Sequence, residues 1–209
     1  MLLRLARSRI VEETKLNIKH LILASQSKIR AEQLAKAGIP FACHPSNFDE
    51  TTVSQGSPRD VALGRAVGKA NEVAKKFPDT LVLGADQVME FEGEIYGKVK
   101  TASDARNRLA KISGAEHFLH SAFVLVRHGA AEEKSQIIHQ DVVTVALTFH
   151  NLKTEEINSY VETGEWRGSC GCYQFENQGI KLVQSVDGDW DAILGMPVLK
   201  LLNVLRGLG

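Results

Sequence analysis

The stretch Thr80-Leu81-Val82-Leu83-Gly84-Ala85-Asp86 is the segment that best indicates the fold. Its first five residues form a continuous apolar run, which is typical of a strand covered on both faces in an α/β protein. We predict that this strand ends after Gly84, so that Asp86 lies at its carboxyl end. An acidic residue at that end points toward the crevice where α/β sheets bind their ligands.

The segments before this strand alternate in the same way between apolar runs and helical patterns. Residues 20–24 predict a strand, and the polar turn that follows leads into a helix ending at Gly38. Residues 41–44 predict a second, short strand. Pro58 begins a helix whose small apolar side chains recur at helical spacing.

The segments after the strand continue the alternation. Residues 87–96 predict a hairpin, and Thr101 opens a capped helix. The remaining predicted elements are strands over residues 118–126, 137–149 and 180–186 and helices over 154–161 and 198–206. Because no repeat or linker interrupts them, we predict one α/β domain over residues 19–209, with an elongated mixed sheet flanked by helices, preceded by an N-terminal extension over residues 1–18.

Composition limits the classes of partner. Lysine plus arginine number 25 and aspartate plus glutamate 25, so no global positive field attracts a nucleic acid polymer or an anionic membrane. The apolar start of the chain is too short to span a bilayer and lacks a signal-peptide pattern. The three cysteines lack paired C-x-x-C spacing, which argues against a disulfide framework or a structural zinc site and favours the cytoplasm.

Chemically complementary side chains follow three of the apolar runs. They are hydroxyls and cations (Ser25, Ser27, Lys28, Arg30), carboxylates (Asp49, Glu50, Asp86) and a lysine (Lys98). Cations and backbone donors at a helix N-terminus neutralise phosphate oxygens, while carboxylates hold a hard divalent cation. Each residue alone has an ordinary structural interpretation, such as a serine N-cap or a solvated helical cation. Together they form the set needed to bind a polyphosphate.

The order of the motifs adds a family resemblance. The segments LASQSKIR (23–30), DET (49–51), GADQV (84–88) and GEIYGK (93–98) resemble motifs of the Maf family of nucleotide pyrophosphatases. Downstream, INSY (157–160), CGCY (170–173), GI (179–180) and GMP (195–197) are similar to later segments of that family. The resemblance spans roughly residues 20–206, and several motifs in a fixed order are more specific than any one of them.

This resemblance implies a cytoplasmic hydrolase, dependent on Mg²⁺ or Mn²⁺, that splits nucleoside triphosphates into a monophosphate and pyrophosphate. It also implies a fold similar to that of inosine triphosphate pyrophosphatases, with the active cleft between two lobes. Glu50 and Asp86 would serve the metal and the attacking water, with Asp86 as acid or base. Lys69 and Lys98 would stabilise developing negative charge. The residues implied to contact phosphate are Ser25, Ser27, Lys28 and Arg30.

Two positions depart from the family pattern, and two others indicate a branch within it. The family commonly has proline and arginine where this chain has Lys28 and Ile29, and lysine cannot reproduce the bidentate geometry of arginine. Gln87 and Glu176 resemble the branch that prefers 7-methyl-GTP rather than the branch that prefers dTTP or UTP. A carboxylate suits the adjacent donors of guanine and the positive charge of a 7-methylated ring.

Other interpretations of the sequence remain open. Trp166 or Tyr173 could stack on a base, or could pack in the core or at the interface between the lobes. The altered first turn allows a nucleotide-binding regulator of cell division without catalysis. Cys170 or Cys172 as a nucleophile has little support, because no histidine is placed near them by the sequence. The resemblance is compatible with a homodimer, although no sequence feature identifies an interface.

Overall fold

The computed structural model describes residues 21–130 and 134–208, so the proposed extension over residues 1–18 lies outside the described residues. The strands are β1 (Leu21–Ala24), β2 (Ala42–Cys43), β3 (Leu81–Phe91), β4 (Glu94–Tyr96), β5 (Glu116–Arg127), β6 (Gln136–Phe149) and β7 (Val183–Asp187). The α-helices are α1 (Lys28–Lys36), α2 (Pro58–Ala74), α3 (Ala102–Lys111), α4 (Thr154–Thr163), α5 (Trp190–Ile193) and α6 (Val198–Leu208). Within the described ranges, no helix is both long enough and apolar enough to cross a membrane.

One sheet contains all seven strands. Its order is β2-β1-β3-β5-β6-β7, with β4 paired to β3. β1 runs parallel to both β2 and β3, and every other pair is antiparallel. The prediction of a mixed sheet with flanking helices is therefore confirmed.

The position predicted for Asp86 at a strand end was wrong. The strand predicted over residues 80–84 continues as far as Phe91, so Asp86 lies inside β3. The reason is that β5 pairs with β3 continuously from Leu81 to Glu90, and this ladder keeps the backbone extended through the polar residues.

On the side of β3 that faces away from β5, strand pairing is interrupted. β1 pairs with β3 only as far as Gly84, and β4 joins the same side from Met89 onward. No other strand in the described part of the chain pairs with residues 85–88 on that side. We call this gap in the sheet, which contains Asp86 and Gln87, the notch.

Two smaller corrections concern the C-terminal part. The strand predicted over residues 180–186 begins only at Val183, because Gln178–Leu182 forms a 3₁₀ turn. The last helix continues to Leu208 rather than stopping before Gly207. The short helix α5 was not predicted, since four residues are too few to show helical periodicity.

The apolar core has three parts arranged around the notch. On the β1 side of the molecule, α2 covers one face of the sheet, while α1 and α6 cover the other. A third cluster packs α3 and α4 against the far halves of β5 and β6. The notch lies where the first two clusters give way to the third, in keeping with the predicted two-lobed arrangement.

Candidate active site

Three charged side chains meet at the notch. The Lys69 Nζ atom lies 2.5 Å from Asp86 Oδ1 and 2.7 Å from Glu50 Oε1. Asp86 is only 5% exposed, and its second oxygen, Oδ2, is buried without a hydrogen-bond partner among the described residues. The result is a carboxylate–ammonium–carboxylate array in which one buried carboxylate oxygen is left unused.

Close contact between α2 and β3 brings Lys69 over Asp86. A Cβ atom added at Gly84 would lie 2.2 Å from the Ala66 carbonyl oxygen and 2.7 Å from the Ala70 Cβ atom. Only glycine therefore allows the helix backbone to approach the strand this closely. Ala66 and Ala70 flank Lys69 along α2, so this contact sets the height of Lys69 above β3.

Glu50 reaches Lys69 from a loop that packs on α2. Added Cβ atoms at Gly64 and Gly68 would fall 2.8 Å from a Val53 methyl carbon and 2.3 Å from the Phe48 ring. The two glycines thus form a flat helix surface on which the side chains flanking Glu50 rest. Glu50 itself begins a 3₁₀ turn that is capped by the preceding aspartate.

The charges around Glu50 favour its ionised form. Partial burial opposes ionisation, but the hydrogen bond from Lys69 and the positive charges of Lys69, Arg65 and Lys98 lower the pKa of Glu50. Lys98 follows β4, and its positive charge reaches Glu50. The structure thus brings together four of the residues singled out in the sequence: Glu50, Lys69, Asp86 and Lys98.

The turn between β1 and α1 adjoins the same site. Ser27 is the N-cap of α1, since its hydroxyl accepts from the Arg30 N–H at 3.4 Å, and Ser25 Oγ accepts from the Ser27 N–H at 3.2 Å. The capping interpretation of Ser27 is confirmed. Lys28 is exposed at the first position of the helix. Phosphate contacts by Ser25, Ser27 and Lys28 stay predictions.

Arg30 donates to two backbone carbonyl oxygens and, from Nη1, to Ser25 Oγ at 3.4 Å. Its Nε atom donates to the Gly195 carbonyl oxygen at 2.9 Å and its Nη1 atom to that of Ala85 at 3.0 Å. Desolvation lowers the pKa of Arg30, and the nearby charge of Asp86 opposes that shift. Arg30 therefore ties α1 to the notch and to the turn after α5. A phosphate contact, which stays a prediction, would fall to its remaining N–H groups.

Gln87 points away from Asp86 because neighbouring strand residues face opposite sides of the sheet. Its Nε2 atom donates to Ser121 Oγ at 2.8 Å and to the carbonyl oxygens of Ala192 and Ile193 at 3.0 Å. The side chain therefore fastens α5 to the sheet. A role for Gln87 in base recognition stays a prediction, and it would have to use the Oε1 atom.

Glu176 lies on the surface, on the loop before the second 3₁₀ turn. Partial desolvation raises the pKa of Glu176 above its ordinary value, a backbone hydrogen bond opposes that shift, and the negative charges of Glu165 and Glu32 add to it. Its role in base recognition stays a prediction. By contrast, Trp166 and Tyr173 are each only 4% exposed. The idea that either stacks on a base was therefore wrong, and the core alternative is right.

Cys170 and Cys172, the two cysteines considered as nucleophiles, are both buried. Cys170 is buried beside the notch, where burial and the negative charge of Asp86 raise the pKa of its thiol to about 11. Burial also raises the pKa of Cys172. A thiol that keeps its proton at neutral pH is a poor nucleophile, so this chemistry opposes the cysteine hypothesis.

Sequence reasoning missed two residues that support the site. Arg65 donates from Nε to the Val53 carbonyl oxygen at 3.1 Å and contributes charge to Glu50. It lies four residues before Lys69 on α2, and this helical spacing could have revealed it. Gln33, three residues after Arg30, donates to the carbonyl oxygens of Asp191 and Met196.

Comparison with known proteins agrees with the motifs. A family model described as Maf-like protein matches residues 20–208. A 7-methyl-GTP pyrophosphatase of Bartonella quintana is 38% identical over 196 residues, covering 90% of this chain and 96% of that protein. A nucleoside triphosphate pyrophosphatase of Maricaulis maris is 40% identical over 194 residues, covering 90% and 96%. Among solved structures, the Ham1 protein of Staphylococcus aureus gives a TM-score of 0.49 at 14% identity, covering 91% of this chain and all of that one. The family match and the two sequence relatives show that this chain belongs to the Maf family.

Proposed function

We propose that this protein is a divalent-metal-dependent nucleoside triphosphate pyrophosphatase with a preference for 7-methyl-GTP. The observation that carries the proposal is the Glu50–Lys69–Asp86 array at the notch, in which Asp86 Oδ2 has no partner among the described residues. Relatives named 7-methyl-GTP pyrophosphatase and nucleoside triphosphate pyrophosphatase match 90% of this chain.

The array suits general-base hydrolysis. Lys69 holds Asp86 through Oδ1, which orients Oδ2 to accept a proton from a water molecule. The water oxygen then joins phosphorus as the α–β phosphoanhydride bond breaks, and pyrophosphate leaves with the electron pair of that bond. Lys69 and Lys98 supply positive charge where negative charge develops on the phosphate oxygens.

The donor set at the notch fits a hard divalent cation. Mg²⁺ and Mn²⁺ prefer oxygen ligands, and Mg²⁺ is commonly held by one or two carboxylates together with water and substrate phosphates. The carboxylates of Glu50 and Asp86 would hold the ion. The described residues contain no cluster of three or more metal-ligating side chains, so substrate oxygens would complete the coordination. When bound, the cation would polarise the phosphoryl group.

The charge distribution supports a methylated guanine. Cations surround the array on the Asp86 face of the notch, whereas Glu176, Glu165 and Glu32 make the Glu176 surface negative. A 7-methylguanosine triphosphate has the complementary polarity, with an anionic tail and a cationic base. An unmethylated nucleotide lacks the positive ring and gains less from these carboxylates.

The test is pyrophosphate release by the purified protein with Mg²⁺ or Mn²⁺, comparing 7-methyl-GTP with GTP, dTTP and UTP. We expect 7-methyl-GTP to have the highest kcat/KM, and both a chelator and Asp86→Asn to abolish turnover while leaving the folded state intact. A highest kcat/KM for dTTP or UTP would refute the base preference. Tight nucleotide binding without turnover would refute hydrolysis and favour a binding regulator.

A further inference from the structure

Trp190 is an aromatic side chain that the site described so far does not use. It begins α5 and is 55% exposed, although tryptophan is costly to leave in water. Its only aromatic neighbour among the described residues is Phe175, whose ring centroid lies 4.5 Å away in an edge-to-face arrangement. An indole that is supported on one side and open on the other can accept a flat ring.

The position of Trp190 is fixed relative to the notch. Gln87 and Ser121, on β3 and β5, both donate to the Ala192 carbonyl oxygen, at 3.0 Å and 2.6 Å. Gln33 of α1 donates to the Asp191 carbonyl oxygen at 2.8 Å. Three buried or partly buried donors thus hold α5 on the Gln87 face. A stacking surface on a fixed segment loses little conformational entropy when it binds a ligand.

The charges around Trp190 favour a ligand ring that carries positive charge. Phe175, the aromatic partner of Trp190, directly precedes Glu176, so an exposed carboxylate follows the residue that packs against the indole. Glu165 and Glu32 add negative charge near Glu176. An aromatic face beside carboxylates favours a flat ring that carries positive charge, through both stacking and cation–π attraction.

We propose that Trp190 is a specificity-determining residue, which stacks on the base of the substrate and favours the cationic 7-methylguanine ring over guanine. The inference rests on the proposed function for the identity of the substrate. It adds a platform for the base on the Gln87 face, opposite the face that carries the Glu50–Lys69–Asp86 array. The nucleotide would pass from one face of the sheet to the other at the notch, where no described strand pairs with that side of β3.

The first experiment measures binding without turnover, by tryptophan fluorescence during titration with 7-methyl-GMP and with GMP. The chain has two tryptophans, and Trp166 is buried, so quenching by a stacked base reports on Trp190. We expect 7-methyl-GMP to quench the wild-type protein and the quenching to disappear in Trp190→Phe. Quenching that persists in this variant would overturn the proposal.

The second experiment compares substrates in Trp190→Leu, which keeps an apolar side chain but removes the π system. We expect the ratio of kcat/KM values for 7-methyl-GTP and GTP to fall about tenfold, mainly through KM. Ile137→Ala is the matched control, because Ile137 is an exposed apolar residue on β6 that the site does not use. An unchanged substrate ratio in Trp190→Leu would overturn the proposal.

The two experiments separate this inference from the proposed function. The protein could show Trp190-dependent quenching by 7-methyl-GMP and yet hydrolyse no nucleotide. That result would retain the base platform and refute the hydrolase. If Trp190→Leu hydrolyses 7-methyl-GTP with the same preference over GTP as the wild type, the hydrolase is retained and the base platform is refuted.

Discussion

Gly84→Ala tests whether the spacing between α2 and β3 sets the catalytic array. The added methyl group would lie 2.2 Å from the Ala66 carbonyl oxygen, which belongs to the helix backbone. Rotation of a side chain cannot relieve this contact. The helix must therefore retreat from the strand, and it carries Lys69 away from Asp86.

The size of the effect follows from that distance. The Ala66 carbonyl must move by about 1 Å to reach ordinary van der Waals contact. Overpacking of this kind costs about 1–3 kcal/mol of unfolding free energy. A displacement of about 1 Å among reacting groups can lower the rate about 10²-fold, and the flexible lysine recovers part of that loss. We therefore expect kcat to fall between about 10-fold and 10²-fold.

The assay combines kcat for pyrophosphate release with urea unfolding of the same preparations. Gly207→Ala is the control, because a methyl group there meets open space near the end of α6. We expect the control to keep both wild-type kcat and wild-type stability. A Gly84→Ala protein with wild-type kcat would refute the reasoning, because the array would then not depend on the α2–β3 contact.

Three other changes test separate parts of the molecule. Glu176→Gln should lower kcat/KM for 7-methyl-GTP more than for GTP, and an unchanged ranking of substrates in the release assay would remove Glu176 from base recognition. Cys170→Ala should keep turnover, since the raised pKa of the thiol leaves little thiolate at neutral pH; a loss of activity with the fold intact would revive the nucleophile hypothesis. Burial lowers the pKa of His117 from 6.5 to about 4, so the unfolded chain takes up this proton first as the pH falls. Between pH 6.5 and pH 4 the free energy of unfolding should therefore fall by up to about 3 kcal/mol more in the wild type than in His117→Leu. The free energy is measured by urea unfolding at each pH. The same pH dependence in both proteins would contradict the lowered pKa of His117.

Much of the fold could be predicted from the sequence because local signals were strong. The helix that begins at Pro58, the N-caps Ser27 and Thr101, and the two long strands each have a pattern that depends on near neighbours. The length of β3 could not be predicted in this way. Polar residues follow Gly84 because they line the notch, and the ladder with β5 that keeps them extended involves residues far along the chain.

The site was harder to predict from the sequence than the fold. Lys69 was identified only through the family resemblance, since an exposed lysine on a helix would look the same in the sequence. Its contacts depend on the absence of a side chain at Gly84, a feature of three-dimensional packing. Trp166 and Trp190 could not be told apart by residue type, because only the fold determines which of them is covered.

The notch has a consequence for how the molecule behaves in a crowded solution. A strand edge with free backbone groups is a template on which a second chain can add a strand, and such addition leads to aggregation. At the notch, the Arg30 guanidinium occupies the Ala85 carbonyl oxygen, an acceptor that an incoming strand would need. Arg30 therefore covers a backbone acceptor that this side of the sheet would otherwise offer to a second polypeptide.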